Sequence, residues 1–309
     1  MSVWAKVALG LGAAVLVAAV GGGLYVWKRP LEVYAWQSRK ALAKAGLTRS
    51  AVQSPVGTQV YWEGGSGRPT VLLHGAGDQA GTWSKVAPAL LSQYKLIIPD
   101  LAGHGESAPE DGPLPVGVVL SGLEAVLDKA SPGEPVTLTG NSLGGWVATL
   151  YAQTHSARVA QVLLVNGGAL RGEHSAVTLQ PANREEARTL MQALRDPSSP
   201  PIPDFVLDDV IRLAREGPIA RLAAAAQDME RYVLDGRLSE IKTPVAIIWG
   251  ASDRLMPIEY AERMRAELPN VRLRMVPKCG HVPQQECPEA LLEALQAALE
   301  AAGSPGAAR

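Results

Sequence analysis

The feature that most constrains the fold is a Gly-x-Ser-x-Gly pattern in which Gly140 and Gly144 flank Ser142. It follows a short apolar run at residues 136–138 and precedes a helical pattern that continues to Gln153. This order is typical of a nucleophile elbow, a strained turn between strand and helix that exposes a serine hydroxyl. A serine forced towards positive φ leaves no room for side chains two residues before or after it, which accounts for both glycines. A chance Gly/Ser turn is the alternative that five residues alone leave open.

The composition limits the number of domains and the class of partner. The chain has 309 residues, of which 47% are hydrophobic and 19% charged, enough apolar material for one large α/β domain or two small ones. A net charge of −1 predicts no nucleic-acid partner. The charge is unevenly placed, because residues 1–50 hold seven basic side chains against Glu32 alone. This asymmetry predicts a separate role for the N-terminal segment.

The N-terminal segment contains an uncharged run at residues 7–27. As a helix with a rise of about 1.5 Å per residue, the run would span roughly 30 Å, the thickness of the hydrocarbon core of a bilayer. Aromatic residues lie at both ends, as membrane interfaces favour. We therefore predict a transmembrane anchor at residues 1–29, with a cleaved signal peptide as the alternative.

A basic amphipathic linker helix is predicted at residues 30–50. Its mixture of Tyr, Trp, Leu, Arg and Lys suits a membrane interface, and it equally suits an ordinary helix packed on the domain. Because the basic excess follows the predicted span, the positive-inside rule favours a body on the cytoplasmic face.

The rest of the chain alternates strand and helix patterns, as in an α/β fold with a mostly parallel, eight-stranded sheet and helices on both faces. We place this domain at residues 51–302 and expect a disordered tail at residues 303–309. The predicted strands are an opening hairpin at residues 52–62 and single strands at residues 70–73, 95–98, 136–138, 162–165, 245–249 and 271–276. The predicted helices outside the longest gap lie at residues 83–91, 116–129, 146–153, 258–268 and 288–301.

About eighty residues separate the strands that end near Val165 and begin near Val245. Helical patterns and a proline-rich stretch in this gap predict a helical cap at about residues 170–240, since the other connections are short. Helices are predicted there at residues 184–194, 205–215 and 219–232. Four apolar side chains are candidates for the lining of a substrate pocket, and each could equally be cap core: Met191, Phe205, Leu207 and Met229.

A nucleophilic serine needs a general base and a carboxylate that orients the base. Of five histidines, only His281 comes late in the chain and directly after a predicted strand, as the order Ser, Asp, His requires. Asp253 follows the strand at residues 245–249, whereas the loop after Val165 contains no acid. We therefore predict Ser142, Asp253 and His281 as the catalytic residues, with helix capping by Asp253 as the alternative role.

The predicted oxyanion hole consists of the backbone N–H groups of Leu143 and Ala76. His74 and His104 lie in glycine-rich loops beside the site, where we expect structural roles. The chain has two cysteines, which we expect to be free thiols, and the pattern predicts neither a metal nor an organic cofactor.

Five motifs, read together, resemble the α/β-hydrolase superfamily over about residues 50–300. They are residues 140–145, 74–75, 100–107, 249–253 and 280–281. Within the superfamily the chain is similar to membrane-anchored monoacylglycerol lipases, through its N-terminal run and residues 179–187 and 241–244. The His-Gly-Ala-Gly turn and the elbow residues Asn141 and Leu143 depart from that branch, and Asn-Ser elbows also occur in carbon–carbon hydrolases.

The resemblance implies a serine hydrolase that cleaves carboxylic esters, with lipid-like esters such as monoacylglycerols as the expected substrates and the bilayer as a partner. A carbon–carbon bond hydrolase or a thioesterase would use the same residues. A non-catalytic, membrane-anchored binding protein is the alternative of a different class. The sequence does not specify an oligomeric state.

Overall fold

The structure, a computed structural model, describes residues 21–172, 177–269 and 271–303. Within these ranges, no helix is long and apolar enough to cross a membrane. Most of the predicted anchor lies outside the described residues, although residues 21–28 are helical. The transmembrane helix therefore has no support in the structure and stays a prediction from the sequence. The predicted tail also lies outside the described part, except for Gly303.

Eight strands form one sheet. They are β1 (Thr48–Ser54), β2 (Gly57–Gly64), β3 (Arg68–Leu73), β4 (Tyr94–Pro99), β5 (Val136–Asn141), β6 (Val159–Val165), β7 (Val245–Gly250) and β8 (Arg272–Val276). Their order is β1-β2-β4-β3-β5-β6-β7-β8. β2 pairs antiparallel with β1 and β4, and all other neighbours are parallel. The central strands are buried almost throughout, because helices cover both faces of the sheet. The predicted eight-stranded, mostly parallel sheet is confirmed.

Helices pack on both faces of the sheet. They are α1 (Pro30–Lys44), α2 (Ala87–Leu90), α3 (Val116–Ala130), α4 (Leu143–Thr154), α5 (Arg184–Leu194), α6 (Asp204–Glu216), α7 (Pro218–Ala224), α8 (Ala226–Met229), α9 (Ile258–Glu267), α10 (Pro283–Glu286) and α11 (Pro288–Gly303). One core cluster combines inward side chains of α3, α4 and α9 with the sheet, and a second combines α1, α2 and α11 with the opposite face. The two clusters show the layered packing that the alternating strand and helix patterns predict.

The helix predicted at residues 83–91 is broken in the structure. A 3₁₀ turn occupies Ala80–Trp83, and the short helix α2 follows. Pro88 lies in the first turn of α2, where its missing N–H leaves no helical bond unmade, so the proline favours a new helix start over a continuous helix.

The inserted segment between β6 and β7 (residues 166–244) contains α5 to α8. The sequence explains where α5 begins, because the Asn183 side chain accepts a hydrogen bond from the Glu186 N–H at 3.0 Å. In return, the carboxylate of Glu186 accepts a hydrogen bond from the side-chain Nδ2 of Asn183 at 2.8 Å. The helix predicted at residues 219–232 is divided into α7, α8 and a 3₁₀ turn. The division of the chain into an anchor, a linker helix and a capped domain stays a prediction.

The two cysteines are paired, so the expectation of free thiols is wrong. Cys279 and Cys287 form a disulfide whose Cα atoms lie 6.0 Å apart. Their spacing of eight residues does not by itself indicate a disulfide or a metal site. The chain turns through α10 between them, and this turn brings the two side chains together.

Candidate active site

Loops that follow five parallel strands meet at one edge of the sheet. Because β3, β5, β6, β7 and β8 run in the same direction, their carboxyl ends lie together. The predicted residues Ala76, Ser142, Asp253 and His281 all lie on loops at this edge. We name three of these loops the β3 turn (residues 74–77), the β7 loop (residues 251–256) and the β8 loop (residues 277–282).

Ser142 occupies a strained turn between β5 and α4. Its φ of 52° and ψ of −118° lie in a sparsely populated region that costs an L-residue about 1–3 kcal/mol. A Cβ at Gly144 would lie 2.5 Å from the carbonyl oxygen of Leu73, and a Cβ at Gly140 would overlap the backbone of Gly144. Close backbone packing around the serine therefore requires both glycines.

Asp253 and His281 form a buried pair. His281 Nδ1 lies 2.7 Å from Asp253 Oδ2, and the two residues are only 3% and 5% exposed. Asp253 Oδ1 also accepts the backbone N–H groups of Leu255 and Met256, each at 2.9 Å. The carboxylate acts only as an acceptor, so the Nδ1–H of the imidazole donates to it and Nε2 is left to accept a proton.

Asn166 holds the carboxylate from the loop after β6. Its Nδ2 donates to Asp253 Oδ2 at 2.8 Å, and its Oδ1 accepts the Gly250 N–H at 3.0 Å. Asn166 has a φ of 47°, a left-handed conformation that asparagine adopts more readily than most residues. The loop after β6 contains no acidic residue, but its Asn166 side chain orients Asp253 on the β7 loop.

Asn141 links the serine turn to the β8 loop. Its Nδ2 donates to the His281 carbonyl at 2.8 Å and to the Val165 carbonyl at 3.0 Å. Its Oδ1 accepts from Gln284 Nε2 at 3.0 Å. These bonds place His281 beside the residue that precedes Ser142. Among the described residues, no hydrogen bond joins the Ser142 hydroxyl to His281. The structure thus joins His281 to Asp253 and leaves the Ser142 hydroxyl without a bond to His281.

Among the residues that the structure describes, neither predicted oxyanion donor has a hydrogen-bond partner. Leu143 is the first residue of α4, where backbone N–H groups have no partner within the helix. Ala76 lies on the β3 turn, which packs on the serine turn, since a Cβ at Gly75 would lie 3.2 Å from Ser142 Cβ. Within the described part of the chain, neither N–H donates a hydrogen bond.

His74 fixes the β3 turn and has no nitrogen free for catalysis. Its Nδ1 donates to the Gly75 carbonyl at 2.8 Å, and its Nε2 accepts the Leu101 N–H at 2.9 Å. Complete burial, with His104 nearby, lowers the pKa of His74 to about 3. The ring is therefore neutral at physiological pH, in keeping with the structural role predicted for it.

Asp100 and His104 brace the neighbouring loop. Asp100 accepts the N–H groups of Ala80 and Glu106 at 2.7 and 2.8 Å, and burial raises its pKa. His104 Nδ1 donates to the Ala102 carbonyl at 3.1 Å, and burial lowers the pKa of His104 to about 4. Both side chains bond to backbone groups, and within the described part of the chain neither hydrogen-bonds to Asp253 or His281.

The four predicted pocket residues lie on three helices of the inserted segment, α5, α6 and α8. Phe205 stacks on Trp27 with ring centroids 4.7 Å apart, so its ring contacts the helix at residues 21–28. Leu207 is fully buried, Met191 is half-buried on α5, and Met229 packs against the larger core cluster.

Ile219 contacts the β3 turn, which the sequence did not indicate. A Cβ at Gly77 would lie 2.9 Å from Ile219 Cδ1, so this side chain of α7 lies directly over the turn. Arg221 fixes α7 in place, because its guanidinium donates to the carbonyls of Gly103, Asp111 and Gly112. The Ile219 side chain therefore covers the turn that carries Ala76, one of the two predicted oxyanion donors.

Curated relatives of this chain include hydrolases of dienoate substrates. A 2-hydroxy-6-oxononadienedioate/2-hydroxy-6-oxononatrienedioate hydrolase of Cupriavidus pinatubonensis is 28% identical, covering 80% of this chain and 93% of the relative. A 2-hydroxy-6-oxo-6-phenylhexa-2,4-dienoate hydrolase of Burkholderia cepacia is 27% identical, covering 72% and 85%.

Similar solved structures include a phospholipase. A membrane phospholipase A described as a bacterial virulence factor superposes with a TM-score of 0.76 and 27% identity, covering 96% of this chain and 99% of its own.

The model of the alpha/beta hydrolase family matches residues 70–294, which include every strand from β4 to β8 and all the predicted catalytic residues. This chain belongs to the α/β-hydrolase family.

Proposed function

We propose that the protein is a serine hydrolase that cleaves carboxylic esters through an acyl-enzyme on Ser142. The observation that carries the proposal is the buried Asp253–His281 pair at 2.7 Å, at the same sheet edge as a serine with a φ of 52°. Acyl transfer needs a nucleophile, a general base and an acid that orients the base. The chain order Ser142, Asp253, His281 is the one that α/β hydrolases use, which supports these three residues in those roles.

In the proposed reaction, His281 Nε2 takes the proton of the Ser142 hydroxyl as the serine oxygen bonds to the ester carbonyl carbon. Asp253 holds the ring through Nδ1 and stabilises its charged form. The N–H groups of Leu143 and Ala76 hold the oxyanion. The imidazolium then protonates the leaving alcohol, and a water molecule deprotonated by His281 releases the acid and regenerates Ser142.

Lipid-like esters, such as monoacylglycerols, are the proposed substrates. The similarity to a membrane phospholipase covers nearly the whole chain, including the region before the family match. Aromatic side chains before and on α1 are exposed, with Trp27 at 62% and Trp36 at 52%. Lys40 Nζ lies 3.7 Å from the Trp36 ring centroid, so basic and aromatic groups share one surface, a combination that membrane interfaces favour. This surface and the anchor predicted at residues 1–29 support hydrolysis of lipid-like esters at the surface of a bilayer.

Carbon–carbon bond hydrolysis is the second candidate, favoured by the dienoate hydrolases among the curated relatives. Both activities would use Ser142, Asp253 and His281, so the site geometry alone does not separate them. A panel of monoacylglycerols, short esters, acyl thioesters and dienone acids separates them by rate. Turnover of dienone acids with no turnover of esters would replace the ester proposal.

A fluorophosphonate probe tests the shared chemistry, because it reacts with an activated serine. We expect labelling of the wild-type protein, no labelling of Ser142→Ala, and unchanged labelling of Ser156→Ala, which alters an exposed serine distant in sequence from the elbow. A wild-type protein that is folded and does not label would contradict the serine hydrolase proposal.

A further inference from the structure

The turn that ends α5 (residues 193–199) bonds directly to both the β7 loop and the β8 loop. The Arg254 N–H donates to the Ala193 carbonyl at 3.0 Å, and the His281 N–H donates to the Leu194 carbonyl at 2.8 Å. The backbone on either side of the acid–base pair is thus fixed to the inserted segment, which lies outside the sheet.

Glu286 strengthens the contact with the β8 loop. Its carboxylate accepts the Gly280 N–H at 2.6 Å, the Asp196 N–H at 2.9 Å and the hydroxyl of Ser199. Gly280 immediately precedes His281, and a Cβ at Gly280 would overlap the carbonyl oxygen of Leu194. One carboxylate therefore joins the base loop to the turn of the inserted segment at a point of close backbone packing.

Asp196 makes the corresponding contact with the β7 loop. Its Oδ2 accepts the hydroxyl of Ser252, the residue before Asp253, and its Oδ1 accepts the Ser198 N–H at 2.9 Å. The Ser252 N–H in turn donates to the Cys279 carbonyl at 2.8 Å, so the two loops are also bonded to each other. The inserted segment, the β7 loop and the β8 loop are therefore each hydrogen-bonded to the other two.

We propose that Glu286 and Asp196 are positioning residues, which hold His281 and Asp253 in register by fixing their loops to the end of α5. This inference rests on the proposed function, because it takes His281 as the base and Asp253 as its orienting acid. Every partner of Glu286 is a hydrogen-bond donor, so a glutamine there presents its NH₂ group to one of them and displaces the base loop. A displacement of about 1 Å at a reacting group lowers the rate by up to about 100-fold.

The test compares Glu286→Gln and Ser252→Ala with the control Glu289→Gln, which alters an exposed glutamate three residues away on α11. Measurements on the full chain are kcat and KM on a soluble short-chain ester, the rate of fluorophosphonate labelling, and the midpoint of thermal unfolding. We expect Glu286→Gln to lower kcat and the labelling rate about tenfold with KM within about twofold. Ser252→Ala should lower both by a smaller factor, and Glu289→Gln should change neither.

Two outcomes overturn the inference. In one, Glu286→Gln and Ser252→Ala unfold at lower temperature yet keep the wild-type kcat, so the contacts are structural only. In the other, the variants change KM and leave kcat unaltered, so the contacts shape substrate binding. A wild-type protein that fails to label contradicts the proposed function itself, which distinguishes that failure from failure of the positioning role. If Glu286→Gln does not fold, Ser252→Ala alone decides, because it removes one hydroxyl and leaves the Glu286 contacts in place.

Discussion

The two sides of the candidate site are held by different parts of the chain. On the acid–base side, the β7 and β8 loops bond to the end of α5 in the inserted segment. On the oxyanion side, the β3 turn continues into the Ala80–Trp83 turn, which packs against α1. There, Gln79 Nε2 donates to Ser38 Oγ at 3.1 Å. The first support lies within the region that the family model matches, and α1 lies before it. Changes in the inserted segment should therefore act on the Asp253–His281 pair, and changes in the N-terminal helix on the proposed oxyanion donors.

The largest effect should come from Asp253→Asn, which removes the carboxylate of the acid–base side. An asparagine can donate to Nδ1 and so favours the wrong tautomer of His281, and we expect kcat to fall by about 10³–10⁴-fold. Steady-state kinetics on a short ester measure this, with Asp235→Asn as the control, since Asp235 is an exposed acid of the inserted segment. Retention of a tenth of the wild-type kcat would remove Asp253 from the proposed triad.

A smaller effect should come from the pH dependence of stability next to the oxyanion side, where the His104 ring centroid lies 5.2 Å from that of His74. Burial lowers the folded-state pKa of His104 to about 4, below its ordinary value of 6.5. As the pH falls through 6.5, His104 binds a proton in the unfolded chain and stays neutral in the folded chain. The folded chain therefore loses stability between about pH 6.5 and 4. At pH 5 the loss amounts to about 2 kcal/mol.

Urea unfolding at pH 7 and pH 5 tests this loss. Relative to its own stability at pH 7, His104→Gln should keep about 2 kcal/mol more at pH 5 than the wild-type protein does. His155→Gln, which alters a partly exposed histidine at the end of α4, serves as the control. An equal loss in wild type and His104→Gln would show that this burial does not govern acid stability.

The disulfide should matter at a comparable level, on the acid–base side. It closes a loop of nine residues from Cys279 to Cys287 that contains His281, and closing a loop of that length stabilises a fold by about 2–3 kcal/mol. We expect Cys279→Ser/Cys287→Ser to unfold at lower temperature by an amount that a reductant reproduces in the wild type. Thiols that react in the unfolded, unreduced wild-type chain would contradict the pairing.

The smallest effect should come from Ser38→Ala, at the contact between α1 and the oxyanion side. Ser38 is 5% exposed and accepts the Gln79 amide, so its loss should cost about 1 kcal/mol of unfolding free energy. Gln37→Ala alters the exposed neighbour on the same helix and serves as the control. A drop in stability no larger than that of Gln37→Ala would separate α1 from this side of the site.

Local patterns were enough to predict the sheet and the serine turn. Period-two and continuous apolar runs indicated the strands, and the glycines around Ser142 indicated the close packing that Gly140 and Gly144 show. These features depend on residues near one another in the chain, which is why the sequence reveals them.

The contacts that hold the site were beyond reach of such patterns. Asn141 and Asn166 bond to residues 140 and 87 positions away, and nothing in an isolated asparagine specifies such a partner. Ile219 lies over the β3 turn, where Arg221 bonds α7 to the Gly103 carbonyl, a partner 118 positions away. The same limit led to the error on the cysteines, whose pairing depends on the path of the chain through α10.

The disulfide also bears on where the chain can mature. Such bonds persist in oxidising compartments and are rare where glutathione and thioredoxin keep thiols reduced. Cys279 is fully buried, so in the folded chain its sulfur is out of reach of a reductant in solution. Formation of this bond therefore requires oxidising conditions while the chain folds, which the cytoplasmic side predicted from the basic residues does not supply. A chain produced in a reducing host cytosol would reach its final fold without the covalent closure around His281.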